Sequence, residues 1–313
     1  MPSISVIIPV KNDLSGIQLM LKSLRRQSVA HELIVVDNGS TDGTREFLES
    51  QGVRVLHFPG LRVGALRNRG VEVSSGDCIA FADSDHEVAE DWLEKGVEVL
   101  MSNPQVSACG SHYLPPKNAT WVQRTWAIHR LRKSRTQEVD WLASGNLFVR
   151  RDRFVEVGGF NENLVAAEDV DLCHRLRSKG GRILHDAQIA SVHHGEAGTL
   201  RRFFQKEWWR GSSGFRAWIS QGFPAREVLS LIWPLWHLLL PLGGLIGSVW
   251  LIWSGHYSTA GITGLIGMLL WCLPAVLLGS KVGYRHGFSV VLHLSILYFI
   301  YGIARAWALL KAS

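Results

Sequence analysis

The chain has little cysteine. Its four residues, Cys78, Cys109, Cys173 and Cys272, are far apart and form no Cys-x-x-Cys pair. That excludes a disulfide framework and a thiolate zinc site, and it fits a reducing compartment. Charge is scarce in one stretch: from Val228 to Leu310 the only acidic or basic side chains are Lys281, Arg285 and Arg305. The opening run Met-Pro-Ser-Ile-Ser-Val-Ile-Ile-Pro-Val-Lys has no basic leader before a long apolar core, so it reads as a first strand rather than a secretory signal. Internal repeats and low-complexity tracts are also lacking. With 47% hydrophobic residues in 313, the chain is too apolar for disorder. It is long enough for one large domain or two modest ones, each with a core. The formal charge of +6 is mild. It suits a protein lying against anionic lipid. It argues nothing for nucleic acid, because the basic clusters lie beside apolar runs rather than along a soluble groove.

The first half alternates strand and helix signals. Short apolar runs at Ser3–Val10, Glu32–Val36, Val53–Phe58 and Cys78–Ala82 predict buried strands. Helical spacing predicts helices over Leu14–Leu24, from Thr44, over Gly64–Val73, over Arg151–Val157 and over Glu168–Lys179. Further strands are expected within Asp140–Val149 and from Arg182 to His185. This order predicts an α/β fold with a parallel sheet. Ligands gather at the carboxyl ends of strands in such sheets, and Asp37 and Asp83 occupy two such ends.

Basic and aromatic residues interleave in the middle of the chain. Residues 117–137 carry six Lys or Arg and no acid, with Trp121, Trp126 and Leu131 among them. From Leu200 to Trp218, Arg201, Arg202, Lys206, Arg210 and Arg216 mix with Phe203, Phe204, Trp208, Trp209 and Trp218. Directly before a long apolar run, such a segment reads as a helix lying in a membrane interface, over residues 200–222. The alternative is a solvated basic helix packing its aromatics on the preceding domain. Three runs then approach or exceed the ~20 apolar residues that cross a bilayer: Val228–Trp253, Thr259–Gly279 and Phe288–Leu310, within 228–310. A buried hairpin plus one span is the competing reading. Pro234, Pro241 and Pro274 are points where these helices can kink. The first link has no Lys or Arg, whereas the second has Lys281 and Arg285. Positive charge on the inner side then puts the second link and the preceding domain, residues 1–199, on the cytoplasmic face of the inner (plasma) membrane.

Several side chains are candidates for chemistry. Asp83-Ser84-Asp85 follows an apolar strand, and two carboxylates at that spacing can converge on a hard divalent cation. Turns are rich in Asp, so the motif alone is weak. Asp37, in Asp37-Asn38-Gly39-Ser40-Thr41-Asp42, can accept from a base imide or ribose hydroxyl, or can simply organise a turn and helix cap. Arg67 and Asn68 bring a cation near the same sheet edge, or lie on a solvated helix face. Glu168-Asp169-Val170-Asp171 puts three carboxylates at a helix start, where the dipole favours them, and where one of them could also take a proton from a hydroxyl. His193-His194 follows another apolar strand, and either ring can ligate a metal.

Taken in order, these stretches resemble the family-2 glycosyltransferases of the membrane-anchored bacterial type. The matching residues are Val6-Ile7-Ile8-Pro9-Val10-Lys11-Asn12, Glu32 through Asp42, Arg67-Asn68-Arg69-Gly70, Asp83-Ser84-Asp85, Gly158-Gly159-Phe160-Asn161-Glu162, and Glu168-Asp169 running to Arg175-Leu176. The resemblance implies a GT-A nucleotide-sugar-binding domain with a mostly parallel sheet. It also implies inverting, metal-dependent transfer of a sugar, UDP-linked in the first instance, to a lipid-linked or polysaccharide acceptor. By the same resemblance Asp37, Pro9 and Val10 would line the base pocket, and Arg67 would face the nucleotide. Asp83, with Ser84 beside it, would face the ribose. Asp85 and His193 would hold Mn2+ or Mg2+, with His194 as the alternative, and Asp169 would be the base. Two departures stand out. His86 follows Asp85 where many relatives have an acid, which alters the metal shell. Gln205-Lys206-Glu207-Trp208-Trp209 has Trp208 where processive members have arginine, which favours single addition over a processive synthase. The reading from another class is a non-catalytic membrane scaffold that keeps a nucleotide-sugar domain.

Overall fold

Alternation along the first strand sets the layers. In β1 (Ile4–Val10), Ile4, Val6, Ile8 and Val10 enter one apolar layer and Ile7 enters the other. This is the two-residue period of a strand covered on both faces. The structure, a computed structural model, describes residues 2–130, 136–220 and 228–311. It divides into two compact units, one of residues 1–117 and 130–196, the other of residues 118–129 and 197–313.

In the first unit, β1 pairs in parallel with β2 (Glu32–Asp37) and β4 (Cys78–Ala82), and β2 pairs in parallel with β3 (Arg54–His57). The sheet continues through β6 (Val106–Gly110), β8 (Thr136–Glu138), β9 (Asn146–Arg150) and β10 (Arg182–Asp186), in the order β3-β2-β1-β4-β9-β6-β10-β8. Helices α1 (Leu14–Leu24) and α4 (Trp92–Met101) cover one face. Helices α3 (Val63–Glu72), α6 (Arg151–Glu156) and α7 (Glu168–Ser178) cover the other, and α2 (Thr44–Ser50) leads into β3. The expected parallel sheet is thus mostly parallel. It departs at β9, antiparallel to both β4 and β6, and at β8, antiparallel to β10. Apolar runs report burial and not strand direction, so these reversals carry no sequence signal. A second sheet places β11 (Ser191–His193) between β5 (His86–Val88), antiparallel to it, and β7 (Tyr113–Leu114), parallel to it.

A buried polar chain holds the middle of this unit. Trp92 Nε1 donates to Asn146 Oδ1 at 2.9 Å, and Asn146 Nδ2 donates to the Ile189 carbonyl at 2.7 Å. Trp92, Asn146 and Ile189 are all fully buried, so no water can replace either bond.

The second unit is helical: α5 (Trp121–Arg130), α8 (Leu200–Ser220), α9 (Val228–Trp253), α10 (Tyr257–Gly283) and α11 (Phe288–Lys311). Residues 118–129, which a linear reading leaves in the first domain, pack here. The Trp126 ring meets Phe203 at 4.8 Å and Tyr298 at 5.7 Å, and His129 Nδ1 lies 2.7 Å from the Tyr298 hydroxyl. The rest of the basic stretch, 131–135, lies outside the described residues, as do 221 and 222 of the expected interfacial segment. On α8, buried Glu207 accepts from Arg210 at 2.6 Å and from Arg305 of α11 at 2.9 Å. Three segments, Ile232–Trp253, Tyr257–His286 and Phe288–Leu310, are long and apolar enough to cross a membrane. Helix α9 runs through Pro234 and Pro241, and α10 runs through Pro274. Helix α10 also extends beyond the expected Gly279, so Lys281 lies in its last turn, where a cation suits the dipole.

Replacing Asn146 by Leu should orphan the Trp92 N–H and the Ile189 carbonyl. A loss of about 1–3 kcal/mol per orphaned group is expected, read as a lowered thermal midpoint of the detergent-solubilised chain.

Candidate active site

The loops after β1, β2 and β4 are tied together before any catalytic question arises. Asn12 adopts a left-handed backbone (φ 50°). Its amide donates to Ser40 Oγ at 2.9 Å, and its Oδ1 accepts from the Thr41 amide at 2.8 Å. Asp13 caps α1 by accepting from the Gly16 amide at 3.1 Å, and it also accepts from the Ser84 hydroxyl at 2.6 Å. Pro9 and Val10 end β1 as buried residues.

Asp37 is wholly buried at the end of β2. It accepts from the Gly39 amide at 3.0 Å, from the Ser40 amide at 3.1 Å and from His57 Nδ1 at 2.9 Å. Burial alone would raise its pKa, but the Ser40 and His57 hydrogen bonds outweigh burial and hold the carboxyl below its ordinary value. Its oxygens organise the turn, so of the two readings of Asp37 the turn is directly visible.

Arg67 of α3 is only 2% exposed, which removes the solvated-face reading. Its two terminal nitrogens reach opposite ways. One donates to Asp83 Oδ1 at 2.7 Å and the other to Glu168 Oε1 at 2.9 Å. Burial opposes the charge, yet Asp83, Glu168 and Asp169 together push its pKa up, so the guanidinium stays charged. The neighbouring Asn68 clasps the Phe160 backbone with two bonds of 2.9 Å, and Arg69 pairs with Glu162 at 3.2 Å. The Arg67-Asn68-Arg69 and Gly158–Glu162 stretches therefore meet in space. Just before Glu168, Ala167 sits at φ 62°, a strained value for a residue with a Cβ.

Asp169, in the first turn of α7, accepts from the Val170 amide at 2.8 Å and also accepts from the Ser144 amide. Burial, followed by the adjacent Glu168 charge, raises its pKa to about 7, against the pull of Arg67. A carboxylate so placed can exchange a proton near neutrality. Asp171 instead pairs with Arg175 at 2.6 Å on the same helix.

Asp85 Oδ2 lies 3.0 Å from His193 Nε2, and His193 Nδ1 lies 3.2 Å from Glu196 Oε1. His194 turns to Glu87 at 3.1 Å, so geometry brings His193 and not His194 to Asp85. Burial would lower the His193 pKa, but Asp85 and Glu196 raise it to about 9. Donor atoms of Asp85, His86 and His193 all lie within 4.8 Å of one another, a set that fits a divalent cation. Burial lowers the His86 pKa to about 4, which keeps that ring neutral. Asp13, His57, Ser191 and Glu196 were not among the expected site residues. Asp13-x-x-Gly16 is a visible cap signal, and Glu196 follows His193 by three, but neither spacing names its distant partner.

A mostly parallel sheet with carboxylates at its strand ends, and a histidine returned to them by a later strand, is the arrangement of a GT-A fold. The model of glycosyl transferase family 2 matches residues 5–157, and the chain belongs to that family. It is 29% identical to the glycosyltransferase AglE of Haloferax volcanii, over 91% of this chain and 96% of that one. It is 30% identical to the pre-mycofactocin glycosyltransferase of Mycobacterium tuberculosis, over 67% of this chain. There it spans only 46% of the relative's length. Among solved structures, the mannosyltransferase PcManGT from Pyrobaculum calidifontis, in complex with GDP-Man and Mn2+, aligns over 98% of this chain and 87% of its own with a TM-score of 0.59. At 16% identity that likeness is one of fold. S. aureus TarS in complex with UDP-GlcNAc aligns over 67% of this chain and 66% of its own at TM-score 0.50 and 19% identity.

Replacing Arg67 by Gln should leave Glu168 and Asp83 facing each other without a cation. Breaking a buried pair this way costs about 3–5 kcal/mol. The partial exposure of Asp83 puts the expected loss at the lower end, read as a fall in the thermal unfolding midpoint.

Proposed function

We propose that the chain is a membrane-anchored, inverting glycosyltransferase. It takes a sugar from a nucleoside diphosphate donor, UDP-linked in the first instance, and places it on a hydroxyl of a lipid-linked or polysaccharide acceptor at the cytoplasmic face of the membrane. The observation that carries this reading is the buried Arg67 bridge. It fixes Asp83, at the donor side, and Glu168, beside the candidate base, at 2.7 and 2.9 Å from one guanidinium.

The geometry supports the following roles. Asp83 and Ser84 sit on one strand-end loop, with Ser84 fastened through Asp13 to the loop after β1, so ribose and diphosphate would meet a preset surface. Asp37 supports the base pocket beside Pro9 and Val10 by holding the β2 turn closed. Asp85 and His193 would hold a divalent cation, Mn2+ or Mg2+, and such an ion when bound supplies charge neutralisation to the departing diphosphate. Asp169 takes the proton of the acceptor hydroxyl as that oxygen forms its bond to the anomeric carbon and the bond to the diphosphate breaks, which inverts the centre. Glu168 is committed to Arg67. Its fixed negative charge is one reason why Asp169 binds a proton more tightly than an ordinary aspartate.

An amphiphilic acceptor accounts for three apolar helices preceded by a helix mixing Arg201, Arg202 and Lys206 with exposed Trp209. Lys281 and Arg285, at the link between the second and third apolar helices, support the cytoplasmic orientation. Addition of one sugar is supported by Trp208, which stands where a processive enzyme would present arginine.

An Asp169→Asn variant should retain donor affinity and lose about 10²–10⁴-fold in turnover, measured with the nucleotide sugar that binds best in a donor screen. Undiminished turnover would remove Asp169 from the role. The base form exists above its pKa, so kcat/KM for the acceptor should rise as pH increases through about 7 and fall below it. A flat profile from pH 5.5 to 8 would contradict that assignment. Alkaline carbonate extraction should leave the chain in the membrane pellet, and its release would contradict the spanning reading.

A further inference from the structure

His86 has a position that neither the Asp-x-Asp motif nor the Asp85–His193 contact requires. It is fully buried at the start of β5. The antiparallel register of β5 and β11 sets it directly opposite His193, so both side chains share a face, with ring centroids 4.6 Å apart. Its Nδ1 is 2.8 Å from the Ser191 hydroxyl, the diagonal neighbour on β11. Its Nε2 is buried, has no hydrogen-bond partner and lies 3.9 Å from Asp85 Oδ1. A polar atom left so inside a protein costs free energy and calls for an explanation. The edge-on contact with Tyr113 at 4.6 Å explains how the ring is held but gives Nε2 nothing.

We infer that His86 is a third protein ligand of the cation, and that the resulting two-imidazole, one-carboxylate set selects transition-metal ions over Mg2+ and binds them before any donor arrives. The inference rests on the proposed function only for the cation held by Asp85 and His193. On each histidine the ring nitrogen away from the metal has an outer group beside it, as ligand histidines do: the Ser191 hydroxyl at 2.8 Å for His86 and the Glu196 carboxylate at 3.2 Å for His193. With Ser191 fixing Nδ1, the lone pair of Nε2 is left for the ion. Mg2+ prefers oxygen ligands and takes most of them from water and phosphate, so a site for it gains little from buried imidazoles. Mn2+, Co2+ and Zn2+ accept nitrogen readily, and three protein donors suffice to bind them while leaving positions for diphosphate oxygens.

The test uses the full-length chain in detergent without nucleotide. Co2+ is titrated by calorimetry and by its visible absorption, then challenged with Mg2+. The expected result is one Co2+ per chain that a hundredfold excess of Mg2+ does not displace. Ser191→Ala should weaken Co2+ binding by about tenfold, and His86→Gln should weaken it more and change the absorption band. Equal competition by Mg2+, or an unchanged affinity and spectrum in His86→Gln, would overturn the inference. If His86→Gln unfolds, the wild-type competition and Ser191→Ala decide. Tight Co2+ binding without turnover on any nucleotide sugar would sink the proposed function and leave this inference standing. Turnover with Mg2+ binding as tight as Co2+ would do the reverse.

Discussion

A single guanidinium shared by two carboxylates is the constraint on which the first unit depends. Arg67 lies on α3, Asp83 just after β4 and Glu168 at the start of α7, so one side chain fastens a helix to a strand-end loop and to the first turn of a second helix. Because it is buried, water cannot substitute for either partner, and its forked geometry matches both at once. Asp169 is adjacent to one of those partners, and its raised proton affinity comes first from burial and then from the charge of that partner, so electrostatics and architecture are not separable here.

The small three-stranded sheet supplies a second constraint. Its strands are only two or three residues long, yet their register faces His86 with His193 and brings both to Asp85. Short strands are weak elements by themselves. Here they are held by what their side chains do: Ser191 on His86, Glu196 on His193, and the His194 amide donating to the Asp85 carbonyl at 2.9 Å. In the helical unit the comparable tie is Glu207, which joins α8 to Arg305 of an otherwise apolar helix. An arginine in such a segment is costly unless it is paired, and the pairing explains how the helix tolerates it.

Much of this was legible in the residues. The apolar run Ser3–Val10, the helical spacing of Leu14, Ile17, Leu21 and Leu24, and the apolar runs after Val228 are local patterns that physics ties to one element each, and Leu14–Leu24 and Cys78–Ala82 appear with the expected bounds. Less legible were α4, β6 and the short strands β5, β7, β8 and β11. Two or three residues carry no period, and β6 is recognised only once β9 and β10 flank it.

The line between sequence and tertiary structure falls where distance begins. Local composition by itself determined that there is an α/β domain, that acids crowd its strand ends, and that three helices follow it with almost no charge, because burial and helix or strand period are encoded within a few residues. Only the tertiary structure decided that β9 runs against its neighbours, that residues 118–129 pack with the C-terminal helices, that the ring of His193 rather than that of His194 meets the Asp85 carboxylate, and that Arg67 is a buried bridge instead of a solvated cation. Each of those outcomes depends on which groups are brought together across tens of residues, and the energy of a pair depends on a distance and a dielectric that no single stretch of chain specifies.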